Sequence, residues 1–138
     1  MAEELRFIPR KLAPTFFSGS ATLWGLIEAG SPAPAEGEPL EHLALDEYLI
    51  AHKEATYLVL VKGSSMAAAG ILPGDLLLVE RTDTPSPGIV VVEVRGVWTL
   101  RFLVCVGDTL MLENAAGLRV PLARFPLIAC VRSVIRKY

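Results

Sequence analysis

Ser65 stands in Gly63-Ser64-Ser65-Met66, directly after the apolar run Tyr57–Val61 and ahead of small residues reaching Gly70 and a Pro73-Gly74-Asp75 turn. A hydroxyl on a turn where a strand ends is held by rigid scaffold on both sides, as a nucleophile must be. Serine is also a common turn former and helix cap, so the same residues read equally as a plain turn. A nucleophilic serine further needs a base. His42 and His52 flank a short periodic segment, form no Asp–His pair of recognisable spacing, and read as surface or helix-end residues. The lysines are Lys11, Lys53, Lys62 and Lys137; Lys62 is nearest to Ser65, but it precedes it along one strand and turn, a poor geometry for a dyad. Asp75 in Pro-Gly-Asp reads as a turn residue rather than an acid catalyst. Cys105 and Cys130 lie in apolar segments without CxxC spacing, which predicts two buried free thiols and neither a disulfide nor a metal site. No phosphate-binding loop, dinucleotide fingerprint or metal cluster is present in the sequence, so no cofactor and no metal are expected.

The elements that must position Ser65 follow from the pattern around it. Tyr57–Val61, Leu76–Val79, Ile89–Val94, Trp98–Val104, Thr109–Leu112 and Ile128–Ile135 are rich in β-branched residues. They are separated by Pro73-Gly74-Asp75, Pro85–Gly88, Arg95-Gly96, Gly107-Asp108 and Ala116-Gly117, which predicts short antiparallel strands joined by tight turns. Leu43–Ala51 repeats its apolar residues at helical spacing, with Asp46 and Glu47 near its start, and predicts one short amphipathic helix. The expected fold is mainly β: an antiparallel domain over residues 40–138, preceded by an extended arm over residues 1–39. Five prolines punctuate that arm, at 9, 14, 32, 34 and 39, and exclude a continuous helix or central strand there. Residues 31–39 read as a polyproline linker, while Phe16–Ile27 is apolar enough to need a covering surface.

Composition narrows the function. The 138 residues suit one domain, and 52% hydrophobic content with a mean hydropathy of +0.47 excludes overall disorder. Thirteen basic against fifteen acidic side chains leave a net charge of −2, the wrong balance for neutralising phosphates, so direct DNA binding is not expected. No apolar run reaches the ~20 residues of a membrane-spanning helix, and the N-terminus lacks the apolar core of a secretion signal. A cytoplasmic protein is expected. Its apolar surface is large for its size, which predicts a homodimer.

Gly63-Ser64-Ser65-Met66, with Gly70-Ile71 and Gly74-Asp75-Leu76-Leu77-Leu78-Val79, resembles the nucleophile region of the LexA/UmuD self-cleaving serine peptidases. Ala29-Gly30 is similar to the bond that this family cuts in itself, Ser31–Ala35 to the segment that follows the cut, and the Ala29-to-Ser65 spacing to the UmuD branch. The resemblance implies a fold of the LexA/UmuD C-terminal type. It implies a Ser-Lys dyad with Ser65 as nucleophile and Ala29–Gly30 as scissile bond, cut within the chain or between subunits. It also implies a place in the SOS response, with a recombinase filament that promotes cleavage and an error-prone translesion polymerase that the shortened dimer joins. The stretch before Ala29 is too short for the winged-helix domain of LexA-type repressors, so the expectation is the UmuD type, a polymerase accessory subunit.

The family carries its lysine base in a Thr-hydrophobic-Lys pattern on the strand after the Arg95-Gly96 turn. Here that strand reads Trp98-Thr99-Leu100-Arg101-Phe102-Leu103, with Arg101 at the lysine position. A guanidinium keeps its proton and offers no acceptor, so it cannot act as general base. Self-cleavage is therefore expected to be absent or strongly slowed. Two further readings remain open at the level of sequence. Arg101 is a solvated strand residue outside any dyad, or the whole chain is a non-catalytic dimeric module that keeps its arm and pairs with a polymerase or an active family member.

Overall fold

Tight turns fix how the strands of the main sheet face one another. In the computed structural model, which describes residues 4–11, 20–23 and 41–138, the strands are β1 (Glu4–Lys11), β2 (Ser20–Leu23), β3 (Glu41–Ala44), β4 (Thr56–Lys62), β5 (Leu76–Glu80), β6 (Gly88–Val94), β7 (Val97–Val106), β8 (Thr109–Glu113), β9 (Arg119–Pro121) and β10 (Leu127–Ile135), with one helix, α1 (Leu45–Leu49). Arg95 and Gly96 both take positive φ, 53° and 77°, and join β6 to β7 as a two-residue hairpin whose twist matches that of its strands. Val94 therefore opposes Val97, and the ladder carries this register on to Leu100 opposite Val91 and Arg101 opposite Val90. Gly107 (φ 62°) and Asp108 close the β7–β8 hairpin in two residues as well, with positive φ at the glycine alone.

The main sheet has eight antiparallel strands in the order β1-β4-β5-β10-β6-β7-β8-β9. It curls far enough for β1 to approach β7 as well as β4. Because side chains alternate across a sheet, it buries two apolar clusters. Val59, Val61, Met66, Ile71, Leu77, Val79, Val91, Leu100 and Ala129 make the first, with Trp98 and Phe102 packed against it. Val90, Val92, Leu103, Leu112 and Cys130 make the second, against Val120, Leu122 and Phe125. Neighbouring residues of β7 thus serve different clusters: Phe102 packs against the first and Leu103 belongs to the second.

The structure groups the chain differently from a boundary after residue 39. One unit holds 52–138 together with β1, and a separate unit holds β2, β3 and α1. β1 joins the sheet at its edge despite Pro9, and the ladder shifts register between Phe7 and Lys11, across the residue that has no N–H to donate. The expected helix over 43–51 shrinks to Leu45–Leu49, because Glu41–Ala44 pairs with Ser20–Leu23, a long-range ladder that periodicity cannot reveal. Cys105 is exposed and not buried as expected, since it sits on the open end of β7 beside the Gly107 turn; Cys130 is buried, and both thiols are free. The linker over 31–39 and most of the apolar stretch Phe16–Ile27 lie outside the described residues. No helix among the described residues is long and apolar enough to cross a membrane.

Leu100 is 1% exposed at the centre of the first cluster. Leu100→Ala is expected to cost about 2–5 kcal/mol, the range for emptying a packed leucine site. Urea unfolding should show a lower midpoint at unchanged slope; a midpoint equal to that of the parent would show that the curled sheet does not enclose this side chain.

Candidate functional site

β4 ends at Lys62, and Gly63 turns the chain with φ 99°, a conformation in which a side chain would be strained. Ser64 and Ser65 follow, both exposed. Met66, next in line, is 2% exposed and belongs to the first cluster, as does Ile71 at 1%. Between them a single 3-10 turn, Ala67–Ala69, ends at Gly70 with φ 87°, and the Ile71 amide donates back to the Met66 carbonyl at 3.2 Å. The loop is thus anchored at two apolar points, and its polar residues are displayed outward. That is the sequence expectation for Ser65 as regards placement: a hydroxyl on a supported turn at a strand end.

A second set of contacts ties this loop down from the far end of the chain. Asp75, 2% exposed, accepts the Leu72 amide at 2.8 Å through Oδ2. Arg136, just beyond β10, forks onto the same carboxylate, with Nε at 2.8 Å from Oδ1 and Nη2 at 2.7 Å from Oδ2. The same Nη2 donates to the Gly70 carbonyl at 2.8 Å. The Gly74 amide meanwhile donates to the Val61 carbonyl, and the Val61 amide to the Asp75 carbonyl. Asp75 is a turn residue, as its motif suggests, but also the buried half of an ion pair. Arg136 escapes a reading by motif, since only the fold brings it to the loop. The one available signal is a buried carboxylate in need of a cation.

Arg101 lies on β7, half-buried, and turns its guanidinium to its own strand, donating from Nη1 to the Thr99 hydroxyl at 3.1 Å and the Leu100 carbonyl at 2.8 Å. With Leu112, Asn114, Leu118, Val120 and Phe125 it lines a shallow cleft of about 200 Å³. Alternation puts it on the face of Val90 and Leu103, opposite Leu100 and the cluster that receives Met66. Among the described residues no hydrogen bond joins Arg101 to Ser65, and no carboxylate pairs with Arg101. Of the lysines with described side chains, Lys62 and Lys137 are exposed and Lys53 is half-buried. His42 and His52 are exposed. Ala29 and Gly30 lie outside the described residues.

Residues 22–115 match the peptidase S24-like family, and the chain belongs to that family. MucA of Salmonella typhimurium is 47% identical over 66 residues, covering 48% of this chain and 45% of the relative. ImpA of Shigella flexneri is 39% identical over 77 residues, 55% and 53% of the two chains. SamA of Salmonella typhimurium is 38% identical over 76 residues, 54% of each. The chain spans about half the length of the curated relatives it matches. These likenesses bear out the UmuD-like resemblance read from the Ser65 turn and the strand after it.

Arg136 first, then the Leu72 amide, holds the Asp75 carboxyl down at about 2, from an ordinary 3.8. A depressed folded-state value stabilises the protein fully above the unfolded one and loses that contribution as the pH falls through the folded one. Stability is therefore expected to drop between about pH 4 and pH 2, and Asp75→Asn should be less stable at neutral pH but flatter across this interval. Urea midpoints at several pH values measure both; parallel curves would rule out Asp75 as a source of the acid sensitivity.

Proposed function

We propose that this protein is a UmuD-like SOS-response protein, of the type that cuts itself at Ala29–Gly30 with Ser65 and serves an error-prone translesion polymerase as a dimeric accessory subunit, but with the cut disabled. It acts in the cytoplasm, and a recombinase filament is the activator to which such an arm would respond. Family membership and the outward display of Ser65 on an anchored turn support the serine as nucleophile. Small residues at Ala29–Gly30 suit a narrow cleft, and an arm of this length reaches on the order of 100 Å when extended, enough for its own site or a partner's.

The disabled state rests on Arg101 in Thr99-Leu100-Arg101, where the resemblance implies the family's lysine. A Ser-Lys dyad works because a desolvated lysine gives up its proton and then takes that of the serine hydroxyl. An arginine has no lone pair to offer, and Arg101 already spends one nitrogen on Thr99 and Leu100. Loss of a general base slows such a reaction by about 10²–10⁴.

A second reading is favoured by one specific observation: Arg101 makes no hydrogen bond to Ser65 among the described residues and faces a cleft of its own. On that reading the chain is a non-catalytic module that keeps its arm and regulates a polymerase or an active relative through mixed dimers. Mass spectrometry after incubation between pH 7 and 10 separates the two. Arg101→Lys is expected to release a fragment running from Gly30 to Tyr138, faster as the pH rises and the introduced lysine loses its proton. The parent should stay whole, and so should the double variant that combines Arg101→Lys with Ser65→Ala. A folded Arg101→Lys protein that never cuts would favour the module, and a parent that cuts with Arg101 in place would overturn the disabled state.

A further inference from the structure

The Arg136 fork has a geometry that ordinary surface ion pairing does not explain. Its carboxylate partner is buried, whereas Arg136 itself keeps 31% of its side chain exposed. One of its nitrogens spends a hydrogen bond on a main-chain carbonyl, Gly70, at the point where the Ser65 turn reverses direction. The two groups it joins, the Gly70 carbonyl and the Asp75 carboxylate, bracket Leu72, whose amide the same carboxylate accepts. Every polar link made by Arg136 to the loop thus falls between Gly70 and Asp75, on the return path from Ser65. Met66 and Ile71 fix the depth of the loop. They are apolar contacts, which resist withdrawal but not sliding or rotation. A bidentate guanidinium fork is directional and supplies the missing restraint.

From this arrangement we infer that Arg136 is a positioning residue for Ser65: the end of the chain holds the nucleophile turn in register by bridging Gly70 and Asp75. It touches neither the serine nor a substrate, so it acts only through the loop. The positioning role rests on the reading of Ser65 as nucleophile; the latch on the loop does not. A consequence is that the residues after β10 control the turn from a distance in sequence, and any partner or truncation that draws Arg136 away would unlock it.

Two readouts test the inference, both on the full chain. In hydrogen exchange, Arg136→Gln is expected to speed exchange of the Leu72 and Gly70–Asp75 amides about tenfold or more, the size expected for losing a charge-assisted hydrogen bond. Amides of β6 and β7 should be unchanged. In the Arg101→Lys background, Arg136→Gln should slow self-cleavage at Ala29–Gly30 about tenfold. Millimolar guanidinium added to an Arg136→Ala version should restore part of both the rate and the protection, a rescue that a general loss of stability would not show. Unchanged exchange in Arg136→Gln overturns the latch, whether or not the Arg101→Lys protein cuts. Unchanged cutting in an Arg101→Lys protein that does cut, or a rate lost without rescue and with β6 and β7 exchanging faster, overturns the positioning role. If the Arg101→Lys protein is inert, it is the reading of Ser65 as nucleophile that fails, and exchange alone still decides the latch.

Discussion

Burial of Met66 and Ile71 on either side of a short turn is the constraint from which the rest of the candidate site follows. Two apolar side chains entering the core from a single loop leave the residues around them no choice but to face outward. The turn must then reverse within a few residues, and the left-handed glycines at 63 and 70 allow that reversal. Placing a methionine directly after the serine sets the depth of the turn: with Met66 held in the core, Ser65 is kept at the surface. Of the two serines, Ser65 shares a peptide bond with the anchor, and Ser64 stands one bond further away.

Charge completes what burial begins. Asp75 would be costly to bury alone, and the guanidinium of Arg136 with the Leu72 amide satisfies it in place. On β7 the same type of group does different work. Arg101 finds no carboxylate among the described residues and folds back on the backbone and hydroxyl of its own strand, beside apolar walls. One arginine therefore acts as a fork on a buried carboxylate, and the other as a donor to its own strand.

The central strands are legible because they carry their own signals. Runs of valine, isoleucine and leucine bounded by Gly-containing turns mark β4 to β8 and β10 to within a residue or two, and alternation on β7 separates Thr99, Arg101 and Leu103 from Trp98, Leu100 and Phe102. What escapes the sequence depends on distant partners. β9 is short and ends in a proline, and β1, β2 and β3 form strands only because another segment supplies the ladder. The exposure of Cys105 follows from where β7 outruns its cover, which composition cannot express. At the site, the motif locates the Ser65 turn, since a Gly-Ser-Ser-Met run at a strand end is a statement about residue type. Arg136 is invisible for the opposite reason: nothing in Val-Ile-Arg-Lys-Tyr distinguishes it until the sheet brings the end of β10 beside the loop.

The two thiols differ more than their shared freedom suggests. Burial pushes the Cys130 thiol up in pKa and shields it, while Cys105 lies open beside a hairpin on the rim of β7. In air, dioxygen would take two electrons and two protons from a pair of Cys105 thiols, linking two molecules through a disulfide and leaving Cys130 alone. A species of doubled mass seen without reductant would then record sulfur chemistry at one rim position, so the quaternary state of this protein is a meaningful quantity only under reducing conditions.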